Sequence, residues 1–275
     1  MHFTKYTGLG NDFIFLDGST ALGVKNPGEL AVKLCDRRFG IGADGLVLLL
    51  PSQTADVRMR IINSDGSEAE MCGNASRAVA LHMYRHGGLT KKKITLETLA
   101  GPIVTEIIDE IAGLVRVNMG RPRLTRGEIP VAGDSVSFAK NVALEIDGKT
   151  WVGTGVSMGN PHFVIFVDDI KDIALESVGP KIETHSLFPR KINVEFVQVL
   201  DEKTVRMRVW ERGAGITSAC GTGACATAVA CVLNQKTVNQ ISVILDGGTL
   251  EISWADKESV WMTGPATEVF SGEIL

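Results

Sequence analysis

The chain repeats itself, and a repeat constrains the fold more than any single motif can. Arg58-Met59-Arg60 leads to Cys72-Gly73-Asn74, and Arg206-Met207-Arg208 leads to Cys220-Gly221-Thr222, both at an offset of 148 residues. Upstream, Gly10-Asn11 precedes the apolar run from Phe13 to Leu16, and Gly159-Asn160 precedes Phe163 to Val167, offset by 149. Downstream, the stretch from Ile94 to Leu96 leads to Gly101 as that from Ile241 to Val243 leads to Gly248, offset by 147. Met119-Gly120 matches Thr263-Gly264 at an offset of 144, each followed closely by proline. The 275 residues therefore read as two copies of one fold.

Each copy has the same order of elements. Apolar runs at Phe13 to Leu16, Leu46 to Leu50 and Val57 to Ile62 read as strands. A helix of about a dozen residues follows each central cysteine, Ala75 to His86 and Ala224 to Leu233. Further strands are expected at Ile94 to Thr98, Ile103 to Ile107 and Val115 to Val117, with counterparts at Ile241 to Leu245, Leu250 to Trp254 and Val260 to Met262. Both helices are apolar nearly all round, and such a helix must be wrapped by sheet. The expected fold is α/β, more narrowly α+β. It has two pseudosymmetric halves, each a mixed or antiparallel β-roll around a central helix, with the active site in the cleft between them. The Gly120 and Gly264 match places the domains at residues 1–119 plus 264–275 and at 120–263, the last strand, Thr267 to Phe270, returning to the first half.

Composition narrows the function. Hydrophobic residues are 44% and charged residues 22%, the balance of a globular protein, and a net charge of -4 offers no basic field for nucleic acid or an anionic membrane. The start, MHFTKYTGLGNDF, lacks the pattern of a secretory signal, and no apolar run approaches a membrane span, so the expected location is the cytoplasm. The five cysteines form no Cys-x-x-Cys pair and no zinc-spaced Cys/His cluster, which argues against a structural metal. Glycine, at 30 residues, is the compositional excess, as close backbone approaches require.

Cys72 and Cys220 each stand immediately before a helix and are followed by glycine. Unpaired N–H groups at a helix start form an anion site and bias a thiol there toward thiolate, so a carboxylate could bind between them. Two such thiols facing one another would place an acid and a base on opposite sides of one carbon, which inversion of a stereocentre by proton removal and return requires. Cys35, Cys225 and Cys231 read as small buried hydrophobes. Polar residues recur at equivalent places: Asn63 corresponds to Glu211, and Asn11 to Asn160. Arg212, in a glycine-rich turn, suits a second carboxylate and a neighbouring Glu an ammonium group, so a zwitterionic substrate fits. On spacing alone each asparagine reads first as a turn residue, and His162 fits an ordinary buried histidine as well. Gly40-Ile41-Gly42-Ala43-Asp44-Gly45 satisfies the dinucleotide pattern G-x-G-x-x-G, but the helical stretch Glu29 to Arg38 precedes it and the strand Leu46 to Leu50 follows, the reverse of what that site needs.

At these residues the sequence closely resembles the diaminopimelate epimerase family along its whole length. The motifs are Gly8-Leu9-Gly10-Asn11-Asp12-Phe13, Asn63-Ser64-Asp65-Gly66-Ser67-Glu68, Cys72-Gly73-Asn74, Ser157-Met158-Gly159-Asn160-Pro161-His162, Glu211-Arg212-Gly213-Ala214-Gly215 and Ala219-Cys220-Gly221-Thr222-Gly223. The resemblance implies interconversion of LL- and meso-diaminopimelate in lysine and peptidoglycan biosynthesis. One thiolate and one thiol would act without pyridoxal phosphate, other cofactor or metal, in an enzyme that is commonly a homodimer. It further implies that Cys72 and Cys220 are the acid–base pair, assisted by His162 and Glu211. Gly73, Asn74, Gly221 and Thr222 would bind the reacting carboxylate, and Glu211 the amine. Asn63, Asn160, Asn193 and Arg212 would hold the distal end, and Asn11 would also bind substrate.

The chain departs from family habit at four places. Gly45 stands where some members carry glutamine, Ala75 where many carry glycine, Ile216 where a polar residue is common, and Phe270 at a position that is tyrosine in some and linked to dimerisation. Two other readings remain at this stage: a related two-cysteine racemase for histidine or proline, and a thiol redox or binding protein whose cysteines join in a disulfide.

Overall fold

A computed structural model describes residues 1–274. The chain divides into two compact units, one formed by Met1–Asn118 with the chain from Thr263 onward, the other by Met119–Met262.

The first unit begins with strands β1 (His2–Gly8) and β2 (Asn11–Leu16), then helices α1 (Gly18–Leu22) and α2 (Pro27–Cys35). Strands β3 (Gly45–Leu50), β4 (Val57–Asn63) and β5 (Glu68–Ala69) follow, then helix α3 (Gly73–Arg85) and strands β6 (Lys93–Thr98), β7 (Gly101–Asp109) and β8 (Leu114–Asn118). The β1–β2 hairpin turns on Leu9 and Gly10, with φ of 56° and 91°. Two left-handed residues in succession give the turn whose twist matches paired strands. β2 runs parallel to β3, and β4 parallel to β6, while β3–β4, β6–β7 and β7–β8 are antiparallel. A parallel pair needs a long crossover, and the two crossovers here carry α1 with α2, and α3.

Period-two alternation explains why unbroken apolar runs make these strands. Phe13 and Phe15 of β2 and Val47 and Leu49 of β3 point into the core around Val79 and Leu81 of α3. Their neighbours Ile14, Leu16, Leu46 and Leu48 pack on the other side with Ala31 and Leu34 of α2. Both faces of the sheet are covered, so neither face needs polar residues. α3 is buried from Gly73 through His82, as a helix enclosed by sheet must be.

The second unit holds β9 (Val142–Ile146), β10 (Lys149–Ser157), β11 (Pro161–Phe166), helix α4 (Leu175–Glu183), β12 (Asn193–Val199), β13 (Thr204–Glu211) and β14 (Gly215–Ile216). Helix α5 (Gly221–Leu233), β15 (Gln240–Leu245) and β16 (Gly248–Ser253) complete it; β17 (Trp261–Pro265) spans the division after Met262, and β18 (Thr267–Glu273), in the first unit, pairs antiparallel with β1. The connections repeat those of the first unit. β10–β11 is antiparallel, β11–β12 parallel, β12–β13 antiparallel, β13–β15 parallel and β15–β16 antiparallel. β9 pairs with β10 as β18 pairs with β1. α5 is buried from Gly223 through Cys231 and packs against β10 to β13, β15 and β16. The mixed α/β fold of two pseudosymmetric halves is thus the one the repeat demands.

Three helices differ in their bounds from the sequence reading. α3 and α5 begin at Gly73 and Gly221 rather than Ala75 and Ala224, with the cysteines themselves as N-cap residues. An apolar pattern cannot register a first turn made of glycine and polar residues. α2 spans Pro27–Cys35 rather than Glu29 to Arg38. Proline is preorganised for a first helical position. At the far end the Asp36 carboxylate accepts from the N–H groups of Arg38 and Phe39, both at 2.7 Å, and folds the chain into a turn instead.

Candidate functional site

In the first unit the helix start of α3 is tied to the β1–β2 hairpin by side-chain amides. Cys72 is extended, with φ -142° and ψ 119°, and its carbonyl accepts from the Ser76 N–H and Ser76 hydroxyl, both at 2.9 Å. The thiol is partly exposed. Asn74 is buried and donates from Nδ2 to Asn11 Oδ1 at 2.6 Å, while its own Oδ1 accepts from Arg77 Nη2 at 2.9 Å. Asn11 in turn donates to Asp44 Oδ2 at 3.0 Å. Asn11 and Asn74 are thus oriented by groups on either side, which fixes what each can still offer a ligand. Asn63 takes no part in this chain of contacts among the described residues. Its amide donates to Ser67 Oγ at 3.0 Å and closes the turn after β4.

The loop that mimics a dinucleotide motif does structural work here. Asp44 holds Asn11, and the Gly42 carbonyl accepts from Lys5 Nζ. Arg37 forks onto Asp12 at 2.7 and 3.1 Å and reaches Asp44 at 2.8 Å, while Lys5 pairs with Asp12 at 2.7 Å. Burial pushes the Asp12 carboxyl up, but the hydrogen bonds and charges of Arg37 and Lys5 together hold it below the usual carboxylate range. A depressed folded value means stability present above the unfolded value, about 3.9, and lost as pH falls through the folded one. Asp12→Asn should therefore lower the denaturant midpoint at pH 6, with wild type and variant converging below about pH 4. A difference that persisted unchanged at pH 3 would contradict this.

In the second unit a buried thiol lies at the centre of a cluster of polar groups. Cys220 caps α5, and its Sγ accepts from the Gly223 N–H at 3.4 Å and lies 3.6 Å from Thr222 Oγ1. Thr222 Oγ1 accepts from Asn160 Nδ2 at 3.2 Å, and Asn160 Oδ1 faces His162 Nε2 at 3.0 Å. His162 is fully buried, and its Nδ1 meets Glu195 Oε1 at 2.7 Å. Asn193 donates to the Pro161 carbonyl at 2.8 Å and accepts from the Arg212 N–H at 2.9 Å, so it shapes the turn carrying exposed Arg212. Glu211 accepts from the Thr217 hydroxyl. Gly221 opens the helix beside Thr222.

Cys220 runs against the expectation of a thiol acidified by a helix start. Burial first, then the carboxyl groups of Glu211 and Glu195, push it well above the ordinary thiol value, outweighing the Thr222 hydroxyl and the Gly223 N–H. At rest it is a protonated thiol, suited to donate a proton. Cys35 and Cys231, pushed up to about 11 and about 12 chiefly by burial, are inert core residues. His162, Glu195 and Cys220 have ligand-type atoms within 4.8 Å of one another, but Nδ1 and Oε1 already engage each other, so a cation would have to break that bond.

Gly223 leaves no room for a side chain. A Cβ there would lie 2.8 Å from Glu195 Oε1 and 3.2 Å from Cys220 Sγ. Gly223→Ala is expected to lower kcat roughly 100-fold by displacing the thiol, with a circular dichroism spectrum like that of the parent. Unchanged kcat would show that the sulfur's position is not critical.

A sequence profile described as diaminopimelate epimerase matches residues 3–125 and 154–269. The chain is 55% identical over 278 residues to the diaminopimelate epimerase of Pelotomaculum thermopropionicum, covering 99% of this chain and 98% of that one. The chain belongs to the diaminopimelate epimerase family. The diaminopimelate epimerase of Carboxydothermus hydrogenoformans is also 55% identical, over 275 residues and 99% of both chains. Among solved structures, a Bacillus anthracis phenazine biosynthesis protein of the PhzF family superposes with a TM-score of 0.69 at 18% identity, covering 100% of this chain and 99% of that one. A hydroxyproline epimerase from Agrobacterium vitis gives 0.67 at 15% identity, covering 100% and 90%. At such identities the structural likeness speaks for the fold alone.

In this member of the diaminopimelate epimerase family, three groups that support the site escape a reading by motif. Glu195 lies two residues beyond Asn193 on β12, and a lone acid inside the apolar run Asn193-Val194-Glu195-Phe196-Val197 was its signal. Glu183, which accepts from Trp210 Nε1 at 2.7 Å and from the Gly213 N–H at 3.3 Å, and Asp44 carry no comparable mark.

Proposed function

We propose that this protein inverts one α-carbon of LL-2,6-diaminopimelate to give the meso isomer, in lysine and peptidoglycan-precursor biosynthesis, using two cysteines and no cofactor or metal. The observation that carries this reading is 55% identity over 99% of the chain to enzymes named diaminopimelate epimerase. The cysteine-capped helices support it: each offers N–H groups free of helical partners to a carboxylate, beside a sulfur that can exchange a proton.

In the chemistry proposed, the thiolate of one cysteine removes the α-proton and the thiol of the other returns one to the opposite face, the roles exchanging with direction. Cys220, held as a thiol by burial, enters as the donor when Cys72 is the base. Gly73, Asn74, Gly221 and Thr222 bind the reacting carboxylate and so favour the carbanion-like charge that grows there. Glu211 takes the amine, and His162 and Glu211 set the acid–base balance of the thiols. Asn11, Asn63, Asn160, Asn193 and Arg212 hold the rest of the substrate, the guanidinium of Arg212 suiting the distal carboxylate. The working form proposed is a cytoplasmic homodimer; among the described residues no helix is long and apolar enough to cross a membrane.

The test is incubation of the reduced protein with LL-diaminopimelate, without added cofactor, and separation of the stereoisomers on a chiral column. Appearance of the meso isomer, with histidine and proline left unracemised, is the expected result. Turnover of proline or histidine with none of LL-diaminopimelate would refute the assignment.

A further inference from the structure

Glu195 has no place in the proton transfers just described, yet it sits fully buried at the head of a hydrogen-bonded chain that ends on the Cys220 sulfur. Its Oε1 meets His162 Nδ1 at 2.7 Å, and its Oε2 has no hydrogen-bond partner among the described residues. An ionised carboxylate with one oxygen unpaired in an apolar interior is a costly arrangement. A protonated carboxyl that shares its proton with Nδ1 leaves only a carbonyl-like oxygen unpaired. Burial pushes the Glu195 carboxyl up, against the pull of His162, which agrees with that state.

The rest of the chain follows from donor and acceptor arithmetic. With Nδ1 supplied by Glu195, Nε2 of His162 carries a hydrogen and donates to Asn160 Oδ1, 3.0 Å away. The amide of Asn160 is then turned so that Nδ2 donates to Thr222 Oγ1 at 3.2 Å. Because that oxygen is accepting, the Thr222 hydroxyl hydrogen is free to point at Cys220 Sγ, 3.6 Å away. Were Glu195 ionised beside a neutral ring, every sense would reverse. Nδ1–H would donate to Glu195, Nε2 would accept from a turned Asn160 amide, and the Thr222 hydroxyl would be drawn to Asn160 and away from sulfur.

We propose that Glu195 is a positioning residue for Cys220: the proton it shares with His162 sets the direction of a relay through Asn160 and Thr222 that delivers an O–H to the sulfur. That donor, with the Gly223 N–H, stabilises the thiolate left when Cys220 gives up its proton, and offsets the Glu211 carboxylate that faces it. The proposal rests on the reading of Cys220 as an acid–base thiol. Glu195 itself is fully buried and touches no substrate, and because the relay also orients Asn160 and Thr222, its loss should act on kcat more than on KM.

The experiment uses the full chain labelled with 15N-histidine, free of substrate at neutral pH, and reads the ring of His162 from two-bond 15N–1H correlations. A proton on Nε2 is expected, and an Nδ1–H tautomer with a bare Nε2 would overturn the relay. Glu195→Gln, whose amide can donate to Nδ1 in the same place, should keep the Nε2–H signature and a kcat within about threefold of the parent. Glu195→Met cannot donate, and should lose the signature and about 10- to 100-fold in kcat, with a smaller change in KM, the worth of one hydrogen bond to a charged group. Equal loss in both variants, or none in Glu195→Met, would also overturn it. The tautomer is read without substrate, so the two proposals fail separately. An Nε2–H ring in a protein inactive on LL-diaminopimelate overturns the activity alone, and an Nδ1–H ring in an active one overturns the relay alone.

Discussion

Cys72→Ala and Cys220→Ala are each expected to lower the rate of epimerisation by about 10⁴-fold, the upper range for loss of a positioned acid–base group. Either variant keeps one thiol, but inversion needs a group on each face of the carbon, so one remaining thiol cannot complete the reaction. The losses should not add: the double variant should be no slower than either single one, because the two groups act as a unit. Folding should survive, since each change removes one sulfur atom at a helix start and leaves the backbone caps of α3 and α5 in place. The check is the initial rate of meso-diaminopimelate formation beside the thermal midpoint. Either variant with substantial inversion and a normal midpoint would contradict a two-thiol reaction.

The second large effect concerns Arg77, which is fully buried on α3 and donates to Asn74 Oδ1 at 2.9 Å and to the Pro265 carbonyl at 3.2 Å. Arg77→Leu strands both acceptors. Each unsatisfied buried group costs about 1–3 kcal/mol, so a loss of about 2–6 kcal/mol is expected. For a chain of this size that lowers the thermal midpoint by roughly 5–20 °C. The same change frees the Asn74 amide, whose Nδ2 also holds Asn11, so KM for the substrate should rise together with the loss of stability. Lysine in place of Arg77 offers a point charge rather than a fork and should recover only part of either. A variant with unchanged midpoint and KM would show that Asn74 is held by other means.

The fold was readable because the signals that encode it are local and repeated. The runs Phe13 to Leu16 and Leu46 to Leu50 announce strands covered on both faces, and matching residues in the second unit announce the same connections again. The two cysteine turns stood out for the same reason, since both copies pair a thiol with glycine at a helix start. What lay beyond reach depends on contacts between residues far apart in the chain. The chemistry of Cys220 is an example: the adjacent helix start argues for an acidified thiol, whereas burial by distant strands and the nearby carboxyl groups of Glu211 and Glu195 win. Glu195 meets His162 only because β11 and β12 lie side by side in parallel, with Val164 opposite Glu195 and His162 opposite Asn193. Asp44 likewise reaches Asn11 across a parallel pair, β2 with β3, and its surroundings in sequence resemble a motif for something else.

Solvent isotope incorporation tests the two-thiol inversion most directly. LL-diaminopimelate is incubated with the reduced enzyme in heavy water, and both stereoisomers are recovered at low conversion for mass analysis. A base on one face and an acid on the other predict that newly formed meso isomer carries a solvent deuterium at its inverted α-carbon while unreacted LL substrate carries almost none. Deuterium entering the LL substrate faster than the meso isomer forms would point to one base acting on one face, and meso isomer formed without deuterium would contradict reprotonation by a second, solvent-exchanged thiol.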